Sequence, residues 1–198
     1  MVESSFNGKD DCNDFSIGIE LEGTEDSEFE EVVDIEKELA VIAVRNSKGE
    51  VNTFPIVEME FHPTANLVEF LLAPAEVDVL LEEKCKNLAI ELVNKLDICG
   101  LLAVELFLTK SGEILINEVA PRPHNSGHHT IESCSSSQFE QHIRGILNMP
   151  LSDIVQLSPA VMVNLLGADG HTGEAIYPGV HSVEADASRR GTFRVAHI

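Results

Sequence analysis

At 198 residues and 43% hydrophobic content, the chain is long enough to bury one substantial core. Its formal net charge of −21 argues against nucleic acid as a partner, because a phosphate backbone is held by clustered cations. No apolar run approaches the ~20 residues needed to cross a bilayer, and Cys12, Cys85, Cys99 and Cys134 show neither CxxC spacing nor a disulfide framework. A soluble protein of a reducing compartment, without membrane partners, is the expectation.

Residues 1–38 hold fourteen acids against Lys9 and Lys37, so more than half of the net charge lies there. An alternating strand is expected over 39–44, and Asn46, Ser47, Lys48 and Gly49 turn the chain into 51–57 as a hairpin. Pro74 precedes an amphipathic helix over 77–96. Leu81, Cys85, Leu88, Leu92 and Leu96 fall on its apolar face, opposite Glu82, Glu83, Lys86 and Glu91. A strand over 101–108 follows, and Lys110, Ser111, Gly112 and Glu113 form the turn into the strand at 114–116. With the turn centred on Ser111 and Gly112, paired residue numbers sum to 223, which sets Glu105 opposite Glu118. Like charges opposed across a ladder are destabilising. A divalent cation between them reverses the sign, and hard carboxylate oxygens suit magnesium. A one-residue change of register would instead leave two separate solvated glutamates.

Pro121 and Pro123 then block both helix and central strand, so a fixed irregular loop is expected. It carries Arg122, His124, Asn125, Ser126, Gly127, His128 and His129, a density of donors suited to an anion, with Gly127 allowing a tight bend. Ser135, Ser136 and Ser137 cap a helix from Gln138 to Met149. Phe139, Ile143 and Ile146 are expected to face inward, Arg144 to lie on the ligand side, and Pro150 to end the helix. A strand over 155–166 and a glycine-rich loop at 167–173 follow. Five of the six arginines (Arg122, Arg144, Arg189, Arg190 and Arg194) lie in the half that carries the donor-rich loop.

The run INEVAPRPHNSGHHTIESC, followed by SQFEQHIR and the pair Pro150–Leu151, closely resembles the ATP-grasp enzyme family of 5-(carboxyamino)imidazole ribonucleotide synthase, in wording most like its plant members. Shorter matches upstream (Lys37 to Val41, Phe54 to Glu58, Ala73 to Ala75, Val104 to Phe107) extend the resemblance over about residues 30–166. It implies a reduced α/β (α+β) ATP-grasp fold, an antiparallel sheet with helices and a small C-terminal β element. Residues 1–36 would be a degenerate remnant of the small lobe, 37–152 the large lobe and 153–198 a small β subdomain. The family's N-terminal domain of roughly a hundred residues, a size at which domains fold independently, has no counterpart in the resemblance.

The implied activity is ATP-dependent carboxylation of 5-aminoimidazole ribonucleotide in purine synthesis, with ATP, Mg2+, bicarbonate and the ribonucleotide as cofactors and substrates. Glu105 and Glu118 would hold the metal. Glu30, Val33, Glu38 and Asn117 would hold the nucleotide, Glu38 through its ribose hydroxyls. Arg122 and His124 would be catalytic, and Asn125, Ser126, Gly127, Arg190 and Arg194 would bind substrate. Three departures from the family bear on the phosphates and the substrate. Asp10 stands where the phosphate loop expects glycine, which lets backbone amides approach phosphate. Residues 182–186 lack the family's lysine, and Phe193–Arg194 replaces an Arg–Lys pair. These departures make activity in this chain alone impaired or absent. The rival expectation is a non-catalytic ATP-grasp remnant acting as a nucleotide-binding or interaction module. A homodimer, or a separate chain supplying the missing domain, would complete the cleft. The compartment would be cytoplasm or plastid stroma; no signal peptide is visible, and the acids near Met1 are wrong for a transit peptide. A serine or zinc hydrolase built on Ser126 with His124, His128 and His129 is disfavoured, since there is no GxSxG elbow and no zinc spacing.

Overall fold

The computed structural model describes residues 33–61 and 68–164, and the backbone of 194–197. The alternation expected at 39–44 is replaced by burial on both sides: every residue there is at most 3% exposed. These residues belong to β1 (Ile35–Arg45), which lies inside an antiparallel array with β2 (Val51–Thr53), β3 (Val57–Phe61), β4 (Val68–Ala73), β5 (Gly100–Thr109) and β6 (Ile114–Ala120). Strand order is β6-β5-β1-β3-β4, with β2 pairing the end of β1, and β7 (Ala160–Val163) and β8 (Arg194–His197) extend the same sheet beyond β4. Among the described residues, only β7 and β8 run parallel to each other. The strand expected over 155–166 is therefore shorter, and Gln156 makes only an isolated bridge to Cys134.

Side-chain alternation gives the sheet two dissimilar faces. On one, Leu39, Val41, Ala43, Leu102, Val104 and Leu106 meet α1 (Val79–Lys95). The helix is capped by Asp78, whose side chain accepts from the Leu81 N–H at 2.9 Å. Its fully buried seam runs through Cys85, Ala89 and Val93, with Leu81, Leu88 and Leu92 of the expected face packed half-buried against the same core, and Leu96 is left exposed at the C-cap. This helix is packing.

The other face carries Ile42, Val44, Leu101 and Ala103, and along the same alternation Glu38, Ala40 and Glu105. It is covered by residues 121–137 and α3 (Gln138–Ile146). Ser137 caps α3 through the Glu140 N–H. The helix ends at Leu147, before Pro150, and Asn148 takes the left-handed conformation, φ 53°. Close approach to β5 rests on two glycines. A Cβ on Gly145 would lie 2.9 Å from the Gly100 Cα, and one on Gly100 would strike the His142 ring at 2.8 Å. α3 is inverted relative to the expected orientation. Gln138 and Gln141 are fully buried, while Phe139, Ile143 and Ile146 are exposed.

Candidate functional site

The β5–β6 hairpin brings the two carboxylates together by a route the numbering alone did not show. From the turn outward, Leu108 pairs with Ile114, Phe107 with Leu115 and Leu106 with Ile116, all summing to 222. That register would put Asn117 opposite Glu105. A bulge at Asn117 absorbs one residue, and Glu118 then pairs with Glu105. The opposition expected from the sequence holds, with the bulge as its cause. Gly112 at φ 82° closes the tighter turn.

Glu105 is 8% exposed and Glu118 is exposed, so the pair sits at the lip of the sheet face. Burial, the facing Glu118 carboxylate and Glu38 push Glu105 up to about 7, while a hydrogen bond from Asn117 pulls the other way. Burial also raises Glu38, which stands two residues along β1 from Ala40, the partner of Glu105. Three of the residues assigned to metal and nucleotide thus influence one another electrostatically.

Opposite the carboxylates, residues 121–137 are more regular than the irregular loop expected, forming a 3-10 turn (Asn125–Gly127) and one helical turn, α2 (Thr130–Ser133). His124 caps the first. The Ser126 N–H lies 3.4 Å from His124 Nδ1 and the Ser126 hydroxyl 2.9 Å from it. Nδ1 is therefore assigned as acceptor, and the ring proton falls on Nε2, 3.5 Å from Glu105 Oε1. Burial, the Arg122 charge and His128 hold His124 down at about 4, so near neutral pH the imidazole in this contact is neutral. Arg122 is exposed, donates to the Pro123 carbonyl at 3.1 Å and forms no ion pair among the described residues.

Gln138 went unassigned in the sequence, and it is what holds His124. Its Nε2 donates to the His124 carbonyl at 2.7 Å and its Oε1 accepts from the His124 N–H at 2.9 Å. Thr130 Oγ1 accepts from the Gln138 N–H and donates to the Gly127 carbonyl. Nothing local marks the residue, since a glutamine at the start of a helix is ordinary. Gly127 differs from its expected role. Its φ is unexceptional, and its lack of a Cβ is what matters, because one would lie 2.4 Å from Ile42 Cδ1 and 2.6 Å from Gln138 Oε1. Asn125 Oδ1 is buried without a hydrogen-bond partner, an acceptor that awaits a donor.

Among the described residues, the one His/Cys/Asp/Glu group with metal-ligand spacing is Glu105, Glu118 and His124, whose ligand atoms lie within 4.8 Å of one another. With His124 Nδ1 occupied by Ser126 and its Nε2 protonated, the donors left are carboxylate oxygens, the set that suits a hard cation such as magnesium. The hydrolase alternative fails on the same geometry. Ser126 is 1% exposed, and His129 is turned to the Ser133 hydroxyl at 2.7 Å. A separate cleft of about 520 Å3 opens on the α1 side, where Lys37, Lys84 and Lys110 are offset by Glu36, Glu76 and Asp78. Val33 is exposed just before β1. Glu30, Arg190, the loop around Asp10 and residues 182–186 lie outside the described residues. Arg194 lies in β8.

An antiparallel sheet that presents paired glutamates from adjacent strands beneath a donor-rich loop is an ATP-grasp arrangement, and the ATP-grasp domain family model matches residues 11–139; the chain belongs to that family. Within it, the chain is 48% identical over 139 residues to the N5-carboxyaminoimidazole ribonucleotide synthase of Bacillus subtilis, covering 70% of this chain and 36% of that one. It is 48% identical over 134 residues to the chloroplastic phosphoribosylaminoimidazole carboxylase of Vigna aconitifolia, covering 67% and 24%. The Aspergillus clavatus N5-carboxyaminoimidazole synthase, solved with ADP and 5-aminoimidazole ribonucleotide, superposes with a TM-score of 0.67 at 33% identity, over 80% of this chain and 40% of that one. This chain therefore spans between about a quarter and two fifths of the length of these relatives.

Proposed function

We propose that this chain is the magnesium-nucleotide-holding part of an ATP-grasp carboxylase acting on 5-aminoimidazole ribonucleotide. The observation that carries this reading is the Glu105–Glu118 opposition created by the Asn117 bulge, with Glu38 on the same sheet face. Glu105 and Glu118 would hold the metal, and Glu38, Val33 and Asn117 the nucleotide, together with Glu30. When bound, magnesium supplies charge neutralisation to the nucleotide phosphates.

The chain's own groups supply orientation. His124, fixed by Gln138, directs its Nε2–H to Glu105, keeping that carboxylate aimed between the strands. The unpartnered Asn125 Oδ1 would accept from a substrate amine or hydroxyl, and Arg122 would place a positive charge beside the ribonucleotide, with Ser126, Gly127, Arg190 and Arg194 completing its site. Bicarbonate is the carbon source in this reading. Residues 1–36, 37–152 and 153–198 would act as small-lobe remnant, large lobe and β subdomain. Further polypeptide, from the same or another chain, would close the cleft against water, because a reactive carboxylated phosphate is lost to hydrolysis in an open site.

Thermal unfolding of the chain with and without magnesium-ATP tests the reading. An upward shift is expected, abolished by Glu118→Gln; no shift in the unaltered chain overturns it. The departures at Asp10 and at Phe193–Arg194 favour a second reading, a nucleotide-binding module without turnover. ADP release dependent on the ribonucleotide, measured on this chain with magnesium and bicarbonate, separates the two. A rate near one per second supports the carboxylase, and a magnesium-ATP shift without turnover supports the module.

A further inference from the structure

We propose that the cleft on the α1 side of the sheet is a second ligand site, one that takes a short peptide carrying a basic residue, an apolar residue and a free carboxylate. The inference is independent of the nucleotide reading. Lys37 lines the cleft, whereas its neighbour Glu38 lies on the opposite face of β1 with Glu105. The volume, about 520 Å3, lies in the ordinary range for small-molecule sites, about 300–1,000 Å3. Its walls come from the start of β1, the β5–β6 turn at Ser111 and Gly112, and the first two turns of α1.

The charges that line this cleft differ in what already holds them. Lys37 is gripped by Glu58 at 2.7 Å, and Asp78 is occupied by the Leu81 N–H. Lys110 reaches Asp34 at 3.0 Å, but both side chains are more than 60% exposed, so that pair contributes little and can exchange. Glu36, Glu76 and Lys84 also line the cleft and form no ion pair among the described residues. Two free acids therefore share one space with a free lysine and an exchangeable one. A simple anion does not satisfy that set, because the acids repel it. A ligand with ammonium groups toward Glu36 and Glu76 and a carboxylate toward Lys84 complements all three. The remaining lining is apolar. Val77 and Leu81 pack on the same core as Leu108, and Leu80, at 70%, is the most exposed large apolar side chain among the described residues. A lone exposed leucine is ordinary. One that shares a cleft with Val77, Leu81 and Leu108 gives an aliphatic side chain of the ligand a place to be covered.

Titration of the 15N-labelled chain with the dipeptide Lys-Leu, without nucleotide, tests this. Saturable shifts are expected at the amides of Lys37, Leu81, Lys84 and Gly112, with a dissociation constant on the order of 1 mM. Lys84→Ala and Glu76→Ala, both at exposed positions, should each weaken binding about threefold, the scale of one exposed ion pair, with circular dichroism unchanged. Lys-Leu amide, which lacks the carboxylate, should bind the unaltered chain more weakly and be indifferent to Lys84→Ala. Absence of saturable shifts, shifts confined to the Glu105–Glu118 face, or an affinity indifferent to both Lys84→Ala and Glu76→Ala overturns the proposal.

Discussion

The Gln138 side-chain amide grips the backbone of His124 from both sides, donating to its carbonyl at 2.7 Å and accepting from its N–H at 2.9 Å. Both residues are buried, so neither backbone group has water as an alternative partner. The clamp ties the first residue of α3 to the loop across from the paired glutamates. It explains why that helix turns its glutamines inward.

Gln138→Leu should therefore cost about 2–4 kcal/mol, since it leaves a buried donor and a buried acceptor without partners. Gln138→Glu retains the acceptor for the His124 N–H and loses the donor to its carbonyl only when ionised, since the protonated carboxyl offers an O–H in its place. Urea unfolding should rank the two variants at low pH, where the new carboxyl is protonated, with Leu the less stable. Equal stabilities would show that the clamp contributes little.

Gly127→Ala should destabilise by about 1–3 kcal/mol through overpacking, because its Cβ would lie 2.4 Å from Ile42 Cδ1 and 2.6 Å from Gln138 Oε1. Combining it with Ile42→Val, which removes the nearer obstacle, should recover part of the loss. Thermal unfolding of the single and double variants measures the coupling. Strict additivity would mean that the glycine is needed for another reason.

Opposing pH dependences are expected in the unliganded chain. Glu105 holds its proton up to about 7 in the fold, against an ordinary value of 4.5, so between those pH values the folded state binds the extra proton. Its contribution to stability is present below pH 4.5 and lost as pH rises through 7. His124 and His129 run the other way. Burial holds both near 4 against an ordinary 6.5, so their contribution is present above pH 6.5 and is lost as pH falls toward 4. Glu105→Gln should remove the first dependence alone. Urea midpoints should then rise more steeply from pH 5 to 7 in the variant than in the unaltered chain, and the variant should be the more stable of the two at pH 8. Parallel curves would contradict the assignment to Glu105.

Metal should reverse that order. If the glutamates take a hard cation, added magnesium-ATP should stabilise the unaltered chain at pH 8 and leave Glu105→Gln unmoved. Replacing Asn117 by alanine removes the side chain that bonds to Glu105, while the backbone bulge keeps the glutamates opposed. The nucleotide-induced shift should then be smaller but present. An undiminished shift would remove Asn117 from the nucleotide site.

Local order was legible in the residues themselves. Pro121, Pro123 and the serine run marked a loop and a helix start, the β5–β6 turn was readable from Ser111 and Gly112, and Glu105 and Glu118 stood out as acids in otherwise apolar strands. The family resemblance rested on a contiguous run of side chains and needed no fold. Tertiary structure decided what depends on neighbours distant in sequence. Periodicity names the two faces of a helix without saying which meets the sheet, so α3 read as burying Phe139, Ile143 and Ile146. The Gln138 bonds to His124, fourteen residues earlier, turn that face outward. Turn residues set a register of 222, and only the bulge at Asn117, formed within the folded β5–β6 pair, restores the opposition of Glu105 and Glu118. Gly127 read as a bend because glycine is permissive in isolation; in the fold its role is set by the Ile42 methyl and the Gln138 amide that a Cβ would strike.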